Sequence, residues 1–448
     1  NEFAHVELGD QRLNKRLLSV AETLNDSPAS SIPTMTNGEM AQLKGLYRFF
    51  QNDKVSEEKI LQNHYANTVE RMDSYNGKIL LLNDSCFVTP RKGMDGLMSR
   101  GKGKENCVRT HYGLAVSANG RHIFGIINFN ILNTPISEKH PELQDESDIW
   151  IKTAQKSIEN IFIFSSKGEK LLSRCLFLAD REGDEFELMD FLLKNDLGFI
   201  IRSQYNRNIF NDEKQKSNLL EKLKESKKCG KNYEITAKKE GRLEKIKVET
   251  RFLKNISIIS PQYYKGGSKT LELNMALVKE KSECQKPVEW RLWTTEEVSN
   301  AQSLKFVIES YKHRWKIEEV NKGAKTGVRV EERQFTDLKH FTPFLAMAFV
   351  IGWRIVALRT IEEVSPNIPL KKGFEEDEVL YIKAQAKEKN LGRMKTIKDG
   401  LRLIAMLGGF TGAYKRPGWQ ILWQGWMKFY ERVSGYKLAK NEYSKKIS

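Results

Sequence analysis

Cysteine is scarce in this chain. Five residues (Cys86, Cys107, Cys175, Cys229 and Cys284) are scattered over 448 positions, and no two form a CxxC pair. An odd, dispersed set argues against a disulfide framework or a structural zinc site and fits a reducing cytoplasm. No HExxH run is present, which removes a common zinc-hydrolase pattern, and no GxxxxGK[ST] run is present, so ATP is not expected as a partner. The longest apolar stretch, Phe344 to Trp353, is interrupted and too short to span a bilayer, so no membrane association is expected. The stretch from Asn1 to Arg12 is polar and mixed in charge, unlike a signal peptide.

What is abundant is positive charge. Lys and Arg outnumber Asp and Glu by 74 to 58, a formal net charge of +16, which points to a polyanionic partner. A length of 448 residues with 40% hydrophobic content allows several domains with a buried core.

Residues 1–70 read as helical. Asp10 caps a helix that turns Leu13, Leu17, Val20 and Leu24 inward, with Arg12, Lys15 and Arg16 outward. A second helix puts Met40, Leu43, Tyr47 and Phe50 on one face, with Lys44 and Arg48 beside it; Ser56, followed by Glu57 and Glu58, starts a third. The basic outer surface is either a DNA-binding face or ordinary solvated charge. From Lys78 the period changes. Apolar runs at Ile79–Leu82, Tyr112–Val116 and Ile123–Phe129 read as strands. A helix over about Ile149–Phe164, a strand at Cys175–Ala179, a helix over Glu185–Leu193 and a strand at Gly198–Arg202 follow. Three strands, then helix, strand, helix, strand is the order of an RNase H-like α/β core. Residues 205–290 interrupt it as a β-rich insertion with runs at Ile246–Phe252 and Leu271–Val278, before a long helix begins near Ala301. Near the carboxyl end Trp419, Trp423, Trp426 and Tyr430 recur at helical spacing, as packing inside a domain or between subunits.

Asp84 and Asp180 each follow an apolar strand, and Glu182 and Asp184 then read as a solvated loop. A carboxylate there is costly unless it caps, pairs or binds metal. In an RNase H-like order the ends of the first and fourth strands are neighbours, so the two aspartates can share metal ions. The helix around YKHRWKIEEVNKGAK supplies a third carboxylate. At about 100° per residue, Leu304, Val307, Ile308 and Tyr311 share one stripe with Arg314, Trp315, Glu318, Lys322 and Lys325, all within roughly 120° of arc. Charges continuing a core-facing stripe fit a pocket for metal and phosphate; an i,i+4 pair of Arg314 with Glu318 is the simpler alternative. Glu319 points off that stripe.

The run Tyr311-xx-Arg314-xxx-Glu318-xxxxxx-Lys325 resembles the YREK signature of the IS-four transposase family. The likeness extends along the chain through LGDQRL, LYRFFQN, NDS at Asp84, ADREGD at Asp180, IIRS at Arg202, LGGF and WQILWQGW. It implies an α/β fold: an RNase H-like catalytic domain over 71–365, flanked by an N-terminal helical end-binding domain over 1–70 and a C-terminal helical dimerisation domain over 366–448. Asp84, Asp180 and Glu318 become DDE ligands for two Mg²⁺ ions, with Mn²⁺ as substitute. Tyr311, Arg314 and Lys325 become contacts to the transposon-end phosphates, Lys322 and Arg202 further DNA contacts, and Trp290 the ring that serves a flipped base during hairpin formation. Without the resemblance, Trp290 reads as a core tryptophan.

The implied activity is cut-and-paste DNA transposition by a bacterial protein of the cytoplasm and nucleoid: nicking, hairpin formation and resolution, then joining of 3′-OH ends to target DNA. The partners are double-stranded DNA and a second copy of the chain in the DNA complex. Two alternatives stay open: an RNase H-like nuclease without strand transfer, and a catalytically silent DNA-binding inhibitor.

Overall fold

The computed structural model describes residues 2–36, 38–100, 105–132, 146–210, 216–229, 233–239, 242–282, 287–412 and 417–447. Four helices open the chain: α1 (Gln11–Asp26), α2 (Ile32–Met35), α3 (Met40–Phe50) and α4 (Glu57–Asp73). Asp10 caps α1 by accepting from the Arg12 amide, and Ser56 caps α4 by accepting from that of Lys59. Leu17, Val20 and Leu24 are buried as their spacing predicts. On α3 the buried residues are Leu46, Phe49 and Phe50, whereas Met40 in the first turn is exposed. The inward face of α3 is therefore wider than the expected one: Phe50 is buried and Leu43 and Tyr47 pack partly buried against the core as their spacing predicts, with Leu46 and Phe49 added and only Met40 left out.

A large mixed sheet follows, with β1 (Ile79–Val88), β2 (Met98–Arg100), β3 (Glu105–Ser117), β4 (Ile123–Leu132), β5 (Cys175–Ala179) and β6 (Gly198–Arg202). Helices α5 (Glu146–Phe164), α6 (Gly168–Leu172) and α7 (Phe186–Lys194) connect β4, β5 and β6. β4, β3 and β1 run antiparallel in that spatial order, and β5 and β6 continue parallel to β1. A parallel neighbour needs a long crossover, which the helical segments provide.

The strands of the 205–290 region are β7 (Asn208–Phe210), β8 (Lys216–Asn218), β9 (Tyr233–Lys239), β10 (Arg242–Ile259), β11 (Thr270–Glu280) and β12 (Glu289–Thr294), with helix α8 (Leu219–Glu225) among them. They do not form a separate sheet. β12 pairs antiparallel with β6, Leu292 opposite Arg202, and the one sheet carries 12 strands. Edge pairing satisfies the backbone groups that β6 would otherwise expose.

After the sheet come α9 (Ala301–Lys312), α10 (Lys316–Lys322), α11 (Leu338–Val364), α12 (Glu376–Glu388), α13 (Ile397–Leu407) and α14 (Trp419–Ile447). The apolar run seen in the sequence is part of a longer element: over Leu338–Glu362, α11 is long and apolar enough to cross a membrane, but 94% of its apolar window is buried inside the protein. It is the helix around which the chain is assembled. The same core holds Leu17 and Phe50 from the first helices, Leu82 and Val116 from the sheet, and Phe344 and Phe349 from α11. Arg333 donates to the carbonyls of Pro28 and Ser30, tying the first helices to the segment before α11. The tryptophan stripe of α14 goes inward: Trp423 and Trp426 are buried with Ile355 and Leu358 of α11 and Leu403 and Leu407 of α13. These rings are consumed within the chain and are not free for a subunit contact. The four cysteines among the described residues are free thiols; Cys284 lies outside those residues.

Candidate active site

Asp84 and Asp180 stand on neighbouring parallel strands. The pairing of β1 with β5 sets Leu82 opposite Leu178, so two residues further on the two aspartates reach the same height. Asp180 lies just past β5 and caps the short turn Arg181–Gly183, accepting from the Glu182 amide at 3.0 Å. Asp84 does not end its strand as the apolar run implied. β1 continues to Val88, held by β3, and Asp84 faces Tyr112 across that pair. Only the parallel partner stops at this level, and that gap makes room for a side chain.

The third carboxylate comes from the segment after β12. α9 starts with a reciprocal cap between Asn300 and Ser303 and buries Leu304, Val307, Ile308 and Tyr311. The helix is not continuous through the charged run. His313–Trp315 is a 3-10 turn, α10 follows, and Gly323–Gly327 is a π turn. A 3-10 turn has 3.0 residues per turn rather than 3.6. The shift takes Trp315 off the expected stripe to 42% exposure. Arg314 and Glu318 stay together: Arg314 Nη2 donates to Glu318 Oε1 at 2.8 Å. The Tyr112 hydroxyl sits 3.1 Å from the Ile317 carbonyl and 2.8 Å from Asn321 Oδ1, anchoring α10 to β3. The π turn packs backbone to backbone on α11: a Cβ on Gly323 would lie 3.0 Å from the Cα of Gly352.

Arg314 closes the constellation. Its Nη1 donates to Asp84 Oδ2 at 3.0 Å, so one guanidinium bridges carboxylates 234 positions apart in the numbering of Asp84 and Glu318. Burial raises the Asp84 carboxyl to about 6; Arg314 opposes the rise, while the Asp180 and Glu318 charges add to it. The same carboxylates hold the Arg314 guanidinium more firmly protonated against the effect of its burial. Among the described residues no group of three or more His, Cys, Asp or Glu side chains is gathered closely enough to hold a metal ion. The guanidinium stands between two of the three carboxylates at issue. Chemically the donor set suits a hard divalent cation, being oxygen only, partly buried and mutually repulsive.

The remaining expected contacts surround this centre. Tyr311 is buried, and the ring of Trp290 on β12 meets it edge to face at 5.4 Å. Trp290 is only half-buried, unlike its neighbour Trp293 in the core. Arg202 closes β6, interacts with Tyr311 and donates to the Glu289 carbonyl at 2.8 Å; burial lowers its pKa. Lys322 is exposed, and Lys325 pairs with Glu331 at 3.2 Å. Lys44 and Arg48 lie exposed on α3.

Two acidic residues differ from expectation. Asp184 does not solvate a loop: its side chain is 0% exposed and pairs with Arg207 at 2.9 Å. It also accepts from the Gln204 amide at 2.6 Å and the Tyr205 amide at 3.0 Å. It locks the loop after β6 to the turn that follows Asp180. Glu182 is half-exposed, 3.8 Å from Arg109. Glu319 points off the stripe, as read, but into protein, where it accepts from Trp419 Nε1 at 2.6 Å; Arg359 lies over the Trp419 ring at 4.0 Å. Sequence reading missed Arg109, Ser85 and His111. Arg109 Nη2 donates to Ser85 Oγ at 3.0 Å, and the Ser85 hydroxyl meets His111 Nδ1 at 3.0 Å, directly behind Asp84. The only signal was their alternation along β1 and β3.

Residues 1–55 match the family model described as transposase DNA-binding. Among solved structures, the chain is similar to a piggyBac transposase in a synaptic complex with hairpin DNA, determined by cryo-electron microscopy. The identity is 10% and the TM-score 0.39, over 79% of this chain and 67% of that one. No residue is transferred from a likeness that distant.

Proposed function

We propose that the chain is a cut-and-paste DNA transposase of the IS-four family, with an RNase H-like catalytic core and a motif resembling that of the transposon-five transposase. One observation carries the reading: Asp84 and Asp180 stand at the same height on adjacent parallel strands, and Arg314 links Asp84 to Glu318 while the Asp180 charge acts on the same guanidinium. The amino-terminal match to a transposase DNA-binding family and the basic charge of +16 support DNA as the substrate. The order β4-β3-β1-β5-β6 supports the RNase H-like reading.

Asp84, Asp180 and Glu318 are the residues that would hold Mg²⁺ or Mn²⁺; two such ions supply charge neutralisation at phosphorus and activation of the attacking oxygen. The protein's own groups bind and orient the strand. Arg314, Lys325 and Tyr311 hold the terminal phosphates, and Lys322 extends the contact toward solvent. Trp290, edge-on to Tyr311, offers an aromatic surface to an extrahelical base, with Arg202 alongside. The active species on DNA is a dimer that pairs two ends, and the protein works in the bacterial cytoplasm.

The test is incubation with transposon-end duplex, supercoiled target and Mg²⁺. Strand-transfer products are expected. Nicks alone would indicate a nuclease without transfer, and unchanged DNA a silent binder. Asp84→Ala, Asp180→Ala and Glu318→Ala should each cut nicking by about a hundredfold or more, on the scale of losing one preorganised electrostatic group, and leave end binding largely intact. Substantial cleavage by Glu318→Ala in Mg²⁺ removes the three-carboxylate assignment.

A further inference from the structure

The proposed metal-dependent reading of the site raises the question of what balances its carboxylates before DNA and metal arrive. Arg314 does so from within. Its guanidinium reaches Asp84 at 3.0 Å and Glu318 at 2.8 Å, with the Asp180 charge also acting on it. Carboxylate oxygens bind Mg²⁺ at about 2.0–2.1 Å. A metal ion touching both Asp84 and Glu318 therefore needs the space that the guanidinium fills. Arginine does not empty such a site by losing its proton. Simple departure of the side chain is also opposed, because it leaves partly buried like charges facing one another without a counter-charge.

An exchange avoids both costs. If a DNA phosphate approaches at the open side, where Glu318 is 37% exposed, the guanidinium can move from carboxylate to phosphate while a divalent cation takes its place. Every charge then keeps a partner. The movement needs only a side chain: α9 is fixed by its buried face, and α10 by Tyr112.

We propose that Arg314 is an internal counter-cation that closes the carboxylate site in the DNA-free protein, and that the phosphate of a bound DNA strand draws it off, so that divalent metal enters with DNA rather than ahead of it. Metal and DNA then strengthen each other's binding by one and the same factor. A transposase that cannot load metal without DNA is silent away from its substrate.

The measurement is Mn²⁺ binding, followed by the electron paramagnetic resonance of free Mn²⁺. It is made with and without a duplex recovered from a random-sequence pool by its binding to the wild-type protein. Wild-type affinity for Mn²⁺ is expected to rise about tenfold or more with saturating duplex, a common size for coupling between sites. Arg314→Gln should bind Mn²⁺ without DNA about as tightly as wild type does with it, and duplex should add little. Lys312→Gln removes a positive charge two positions from Arg314 in the chain, paired with Glu309 at 2.8 Å rather than with the carboxylate site, and should keep the wild-type coupling. Arg314→Lys keeps the charge but cannot fork to both carboxylates, and should fall between; it carries the comparison if thermal melting shows that the glutamine variant does not fold. Equal wild-type affinity with and without duplex overturns the proposal. So does an equal gain in Arg314→Gln and Lys312→Gln, which would reduce the effect to general electrostatics. Glu318→Gln separates the two readings. Mn²⁺ binding that requires Glu318 but ignores DNA leaves the metal site standing and removes the closure. No Mn²⁺ binding in any sample removes both.

Discussion

Trp290 meets Tyr311 edge to face yet keeps part of its ring accessible, and its neighbour Trp293 is wholly enclosed. Two nearby tryptophans on β12 therefore have different fates on truncation. Trp290→Ala should fold and nick normally but accumulate nicked ends with few hairpins, because the ring worth roughly 1–3 kcal/mol of base stacking is gone. An abasic site at the flipped position should partly restore hairpins, since unstacking then costs less. Gel analysis of end cleavage reads both effects; parallel loss of stability and of every step would instead make Trp290 a packing residue. His111, behind Asp84, supplies a second residue-scale prediction. Burial, helped by Arg109, lowers its pKa from 6.5 to about 3. The folded protein then refuses a proton that the unfolded chain accepts below pH 6.5. Its contribution to stability is complete above that pH and is lost progressively as pH falls toward about 3. His111→Gln, which keeps a polar group for Ser85, should flatten the fall in melting temperature across that window. An unchanged pH profile would show that His111 does not titrate there.

At the scale of elements, α10 shows how a site is held rather than formed. Its seven residues are too few to be stable alone. Tyr112 fixes one side, the π turn pressed on Gly352 fixes the end, and Glu319 docks to Trp419 at the head of α14. Glu318 thus inherits its position from the sheet, from α11 and from the carboxyl-terminal helices. On α3 the relation is looser. Lys44 and Arg48 are exposed, on a helix that lies within the matched DNA-binding segment. Lys44→Ala with Arg48→Ala should weaken end binding and reduce the slope of log affinity against log salt by about one unit for each phosphate that is no longer neutralised. An unchanged slope would make these charges solvated surface only.

For the whole molecule, one core runs from the first helices through the sheet to α11. The strands of 205–290 extend the sheet and bring Trp290 back beside Tyr311. The large tryptophans of α14 are spent inside the chain, so the proposed dimer would have to be built from other surface together with DNA. The prediction is that light scattering of the end complex gives a mass of two chains with two paired duplexes. One chain per duplex without pairing of ends would contradict it.

The local physics of the chain is legible in its residues. Apolar runs mark the strands Cys175–Ala179 and Gly198–Arg202, and Asp10 and Ser56 mark the starts of α1 and α4. The spacing of Tyr311, Arg314, Glu318 and Lys325 is likewise a property of one segment, as is the pairing of Arg314 with Glu318 across a helical turn. What only the tertiary structure decided concerns segments far apart in sequence. Asp84 meets Arg314 across 230 positions, and Asp184 is taken from a loop into full burial by Arg207 and the amides after β6. Periodicity reports which face of an element is apolar, but not which other element will cover it. A carboxylate's fate depends on whether a cation and a set of amides converge on it from elsewhere, and that convergence appears only when the chain has closed.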